Sequence, residues 1–157
     1  MKLIRNSGNE RVVDELRKCL IGQATLDIAS PAFSLFAFGE VRELLSKLDK
    51  CRLVLPGFDS SDLALVGSLS DRPFRNQLQT RWLAKQCAEW IEKKTEIKRV
   101  PGVIPQATLI TQSLEPTLNR VITGNCSFTT EGLGITPGNQ FGLIQLVARL
   151  AGIGDIG

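Results

Sequence analysis

The sequence predicts an α/β fold: a mixed β-sheet flanked by helices on both faces. Ala24 to Ser30 (ATLDIAS) alternates apolar and polar residues with the period of two that a half-buried strand requires. Over the first two thirds of the chain, strand-like runs alternate with segments of helical periodicity. Over the last third, strand-like runs follow one another with little helix between them. Alternation favours parallel strands joined by crossover helices and succession favours antiparallel ones, so one sheet holding both is mixed.

The elements follow in order. Glu10 to Leu20 places Val12, Val13, Leu16 and Leu20 at helical spacing, so a helix precedes the first strand. Ser30-Pro31 breaks the chain after that strand. Leu35 to Leu48 aligns Phe36, Val41, Leu44, Leu45 and Leu48 on one stripe of a second helix. Arg52 to Leu55 (RLVL) is a short strand ended by Pro56-Gly57. Ser60 or Ser61 suits the cap of a short helix, and Asp71 with Pro73 opens a longer one. The longer helix runs from about Phe74 to Lys94, with Phe74, Leu78, Trp82, Leu83, Cys87, Trp90 and Ile91 as its apolar side. Glu96 to Val100 is again strand-like and closes at Pro101-Gly102; Ala107 to Thr111, Arg120 to Thr123 and Gln140 to Ala148 complete the sheet. A short helix is expected near Thr130 to Leu133. Residues 1–148 read as one domain, and the Gly-rich 149–157 as a linker to a missing downstream region.

Composition narrows the function classes. The 157 residues carry a formal net charge of +3, which permits nucleic-acid contact without arguing for it. No apolar run approaches the roughly 20 residues that span a bilayer, and MKLIRNSGNE lacks the apolar core of a signal peptide, so a cytoplasmic protein without membrane contact is expected. Cys19, Cys51, Cys87 and Cys126 form no C-x-x-C pair and the chain has no histidine, so no metal or other cofactor is expected and the thiols read as buried and reduced. GNERVVDELRKCL lacks G-x-x-x-x-G-K-[ST] and is not a phosphate loop.

Two segments of the last third resemble a known site. VPGVIPQATLI (Val100 to Ile110) followed by VITGNCSFTTEGLG (Val121 to Gly134) is similar to the half-site of the phospholipase D superfamily. There, one strand carries His-x-Lys and the next Gly-Ser-x-Asn. The resemblance implies one half of a phospholipase D-like fold with its chemistry lost. Pro105 falls at the histidine position, Ala107 at the lysine, Gln112 at the acidic residue and Ser127 at the asparagine. Gly124 matches the family glycine, Asn125 stands where serine is usual, and Phe128, Thr129, Gly132 and Leu133 fit the run that follows. The opening SGNERVVDELRKCLIGQATLDIASPAFSLFAF, taken with GNCSFTTEGLG and PGN, resembles the domain in front of bacterial Swi/Snf-type helicases associated with restriction and phage defence.

The family attacks phosphorus with a histidine, protonates the leaving oxygen with a second one from another copy of the motif, and holds the phosphoryl oxygens with lysine and asparagine. Without a histidine, the resemblance implies an inactive module serving DNA contact or self-association in a longer chain, with a homodimer as the family's two-fold arrangement. Alternatives are a divergent phosphodiesterase or nuclease and a module that binds protein only. Cys126 neighbours the site, but no Lys or Arg flanks it to activate the thiol. Gly124, Asn125, Ser127 and Thr129 could bind an oxyanion at a helix start, although such residues more commonly cap and turn a chain. Arg72, Arg75, Arg81, Lys85, Lys98 and Arg99, with Phe74 and Trp82 between them, could contact DNA, or form a solvated face beside Glu89, Glu92 and Glu96.

Overall fold

The structure, a computed structural model, describes residues 2–57, 77–135 and 144–148. The elements are β1 (Lys2–Leu3), α1 (Val12–Cys19), β2 (Ala24–Ala29), α2 (Leu35–Ser46), β3 (Lys50–Pro56), α3 (Gln77–Lys94), β4 (Thr95–Val100), β5 (Ala107–Ser113), β6 (Arg120–Gly124) and β7 (Ile144–Ala148). They form an α/β fold on one seven-stranded mixed sheet, ordered β1-β7-β6-β5-β2-β3-β4. Strands β2, β3 and β4 are parallel, while β5, β6, β7 and β1 add antiparallel neighbours beyond β2. Every strand expected from the sequence is present among these, with ends shifted by a residue or two where described. The two-residue β1 and a 3-10 turn at Pro116–Leu118 carry too few residues to show a period.

Register fixes which side chains share a face. Leu26 pairs with Cys51 and Thr111, Ile28 with Leu53 and Leu109, and Leu109 with Ile122. All of these are buried, and they join α1, α2 and α3 in a single apolar core. Each fully buried Leu or Ile there contributes roughly 1.5–3 kcal/mol. The alternate residues Thr25, Asp27, Ala29, Val54, Thr108, Ile110, Val121 and Thr123 lie on the other face and are only half-buried. Among the described residues α1, α2 and α3 all pack on the core face; helices on the other face, which the sequence suggests, are not shown among them. The connections β1-α1-β2, β2-α2-β3 and β3-α3-β4 all step the same way across the sheet, and right-handed crossovers taken in one direction lay their helices on one side.

Local chemistry sets the helices. Ser34 caps α2 by accepting from the N–H groups of Phe36 and Ala37 at 3.2 and 3.3 Å. Gly39 lets α3 approach α2, because a Cβ there would lie 2.9 Å from a Leu83 methyl. Trp90 Nε1 donates to Leu45 O at 3.2 Å, and Lys94 Nζ donates to Ser46 O and Leu48 O at 2.6 and 2.7 Å, satisfying carbonyls at the end of α2. Leu83, Cys87 and Trp90 form the buried stripe of α3. Trp82 does not belong to it. It is 47% exposed, one helical step (100°) away from Leu83, with the Arg42 guanidinium 4.4 Å from its ring centre. The sequence places Phe74, Leu78, Ser60, Ser61 and the Asp71-Pro73 start in this region too; their side chains or positions lie outside the described residues, as does 149–157.

Asn6 ties the amino-terminal segment to the distal end of the chain. It is buried, with φ +55°, a left-handed conformation that asparagine tolerates better than most residues. Its Nδ2 donates to Gly132 O at 2.9 Å, and its Oδ1 accepts from Val12 N at 2.9 Å. Val13 N donates to Leu133 O at 3.0 Å beside it. Gly134, at φ +78°, has no room for a Cβ because Asn6 Oδ1 occupies that space. Asn6→Ala leaves a buried N–H and a buried carbonyl unpaired, so it is expected to destabilise the fold by about 2–3 kcal/mol in urea unfolding.

Candidate functional site

The positions that resemble the phosphodiesterase half-site gather at one end of the sheet. Strands β2, β3 and β4 finish there, β5 begins and β6 ends. Ala107 pairs in register with Gly124, whose φ is +126°. Pro105 is exposed two residues before β5, and Asn125 is exposed just beyond β6. Gln112 does not join them. It lies five residues along β5, roughly 17 Å from Ala107 at strand rise, opposite Thr25 and on the other face.

The end of the sheet is filled by packing. Ala107 is 1% exposed, so its side chain points into the core and not into a cleft. The Phe33 and Phe128 rings stack at 5.0 Å and 10°, and the two residues form a parallel bridge. Ser30 Oγ accepts from Phe128 N at 2.9 Å and donates to Ala32 O at 2.6 Å, while Ser34 N donates to Phe128 O at 2.8 Å. The loop after β2 is thereby laced to the loop after β6.

The oxyanion candidates are engaged within the chain. The Ser127 and Thr129 hydroxyls are 3.1 Å apart, and Thr129 Oγ accepts from Gly132 N at 2.9 Å. Thr129 N donates to Ser127 O at 2.8 Å. Gly132 packs so closely on Ser127 that any Cβ there would overlap it. Residues 129–135 make hydrogen-bonded turns rather than the short helix expected at Thr130 to Leu133, so no helix N-terminus faces an anion. Two glycines in EGLG and the demands of Asn6 favour the tight turn over helix propagation. Cys126 is fully buried, with Sγ 3.7 Å from Ala107 O and 3.9 Å from Ile122 O. Burial pushes its thiol from the ordinary 9.0 up to about 12.

The basic candidates divide into separate surfaces. Arg81 and Lys85 are exposed one turn apart on α3, next to Trp82 and its stacked Arg42. Lys98 and Arg99 are exposed neighbours on β4, so they point to opposite faces of the sheet. Lys98 Nζ lies 3.9 Å from Glu96. Arg72 and Arg75 lie outside the described residues.

One feature is invisible to sequence periodicity. The sheet face opposite the three described helices holds a concavity of about 360 Å³ lined by Asp27, Ala29, Arg52, Val54, Lys98 and Ile110. Arg52 Nε donates to Asp27 Oδ1 at 2.7 Å within it. The signal was half present in the polar positions of ATLDIAS, but only register aligns them with Arg52 and Ile110. Among the described residues no group of three or more His, Cys, Asp or Glu is placed to hold a metal ion, and no helix is long and apolar enough to cross a membrane.

Cys51, Cys87 and Cys126 are each pushed from 9.0 up to about 12, chiefly by burial. The unfolded chain releases these protons above pH 9.0 and the folded chain holds them. Their contribution to stability is complete below pH 9.0 and is lost as pH rises from there towards 12. Urea midpoints are expected to fall between pH values of about 8 and 10. An aromatic disulfide reagent is expected to label the four thiols far more slowly in the native protein than in urea.

No family model and no curated protein matches this sequence.

Proposed function

We infer that this chain is a catalytically inactive phospholipase D-like module that works by contact, with DNA or with its own copy, in a larger cytoplasmic helicase or restriction and defence protein. The observation that carries the reading is the in-register pairing of Ala107 with Gly124 at a sheet end occupied by packing. Phosphoryl transfer through a covalent intermediate needs an ionised or base-assisted nucleophile and fixed donors for the developing charge. The chain has no histidine, the neighbouring thiol of Cys126 is protonated at neutral pH, and Ser127 and Thr129 commit their hydroxyls to the turn. These facts weigh against a relocated phosphodiesterase.

One observation favours DNA as the contacted partner over protein alone. Trp82 presents a half-exposed ring flanked by Arg42, Arg81 and Lys85, which pairs a stacking surface with phosphate-binding charge. Glu43 and Glu89 line the neighbouring groove and moderate the field. Weak, salt-dependent binding is the expected result.

Purified protein is expected to leave bis(p-nitrophenyl) phosphate and DNA unhydrolysed; turnover abolished by Cys126→Ala or Ser127→Ala would overturn the inactive reading. Oligonucleotide binding is expected to quench fluorescence, to weaken steeply with salt, and to fall roughly tenfold in the double variant Arg81→Glu, Lys85→Glu. Binding insensitive to salt and to those charges would leave only the protein-contact reading.

A further inference from the structure

We propose that the nucleic acid this chain contacts is single-stranded DNA, held with one unpaired base stacked on Trp82 and its phosphates on Arg42, Arg81 and Lys85. The proposal rests on the DNA arm of the reading above. It adds the state of the nucleic acid, the extent of the seat and the contact made with a base. Trp82 is 47% exposed on α3, and the Arg42 guanidinium lies 4.4 Å from its ring centre. The guanidinium holds the ring in place before any ligand arrives, so little side-chain freedom is lost when a base stacks on it.

A stacking ring selects the form of the DNA. In a duplex each base is paired and stacked on its neighbours, and a protein ring reaches its face only after the base has been freed at an energetic cost. An unpaired DNA strand offers base faces without that cost. Stacking on an aromatic ring accepts any base, because every base has a π-face. Strand state, and not base sequence, therefore sets the affinity of such a seat.

Charge confines the seat to a short stretch. Arg81 and Lys85 are exposed one turn apart on α3, about 6 Å along its axis, and Arg42 joins them from α2. Among the described residues none of the three forms a salt bridge, so their charge is available to phosphate. Carboxylates border the group. Glu89 and Glu92 are exposed further along α3, and Glu43 is exposed next to Arg42. Three cations with acid at their margin suit about three successive phosphates of one DNA strand.

The duplex alternative, α3 laid in a major groove, meets two obstacles. Helix α2 runs alongside α3: Gly39 gives room to the Leu83 methyls, and Trp90 Nε1 donates to Leu45 O at 3.2 Å. A groove about 12 Å wide accepts one helix of about 10–12 Å and not two lying side by side. The exposed face of α3 also carries Glu89 and Glu92 beside Ala84 and Ala88. Docking that face in a groove would bring carboxylates up to the phosphates of two DNA strands.

Anisotropy of a labelled DNA strand of about 12 nucleotides, compared with its duplex, tests the proposal on the full chain. The single strand is expected to bind roughly tenfold tighter than the duplex. Trp82→Ala is expected to weaken single-strand binding roughly tenfold, and Trp82→Phe, which keeps a stacking ring, to weaken it little. The logarithmic salt slope is expected near −2, about 0.7 for each of three cations. The chain has two tryptophans and Trp90 is buried, so quenching of wild-type fluorescence by the single strand reports on Trp82. Circular dichroism checks that both variants remain folded. Binding of neither form at low salt overturns the DNA arm and this proposal together. A duplex bound as tightly as the single strand, or a folded Trp82→Ala that binds as wild type does, overturns the stacked-base seat while DNA contact stands.

Discussion

The handedness of three crossovers governs this molecule. Each connection from β1 to β4 moves across the sheet in the same direction, and a right-twisted strand feeding a right-handed helix packs back only one way. The helices must then share a face. From that single constraint come the one core of Leu26, Ile28, Leu53, Leu109 and Ile122 and the placing of the three described helices on its side of the sheet. Parallel strands are ordinarily covered on both sides; here Ala29, Val54 and Ile110, on the face opposite the three described helices, are half-buried.

The end of the sheet where β2 and β6 finish is held by packing and hydrogen bonds. Loops after β2 and β6 meet through Phe33 and Phe128, and every polar atom named between them has a use. Ser30 serves two partners, Thr129 holds Gly132, and Asn6 reaches from the opposite end of the chain to hold the same turn. Such a network excludes water, so each bond in it is stronger than on the surface and each loss costs more. Burial of Cys126 belongs to the same arrangement, since a thiol packed under Ala107 O and Ile122 O is held neutral.

Legibility differed between elements for identifiable reasons. The strands from Ala24, Arg52, Glu96, Ala107 and Arg120 carried a clear run bounded by Pro, Gly or polar residues, and their identity survived into the fold. Trp82 misled because helix periodicity at a 100° step cannot separate the edge of an apolar stripe from its centre; Arg42, forty residues away, decides where the ring goes. The turn at Thr130 to Leu133 has a helix-like pattern over too few residues to outweigh the pull of Asn6 and the tight fit of Gly132. Lys98 and Arg99 looked like one basic cluster, yet strand geometry sends them to opposite faces.

Local composition alone settled the secondary structure, the mixed character of the sheet and the absence of any imidazole to do acid–base work, because those depend on neighbours within a few residues. Register, the choice of covered face and the partners of Asn6, Ser30 and Trp82 were settled only in three dimensions. A one-residue slip between strands would send every side chain to the other face, and nothing within a single strand records which slip is chosen.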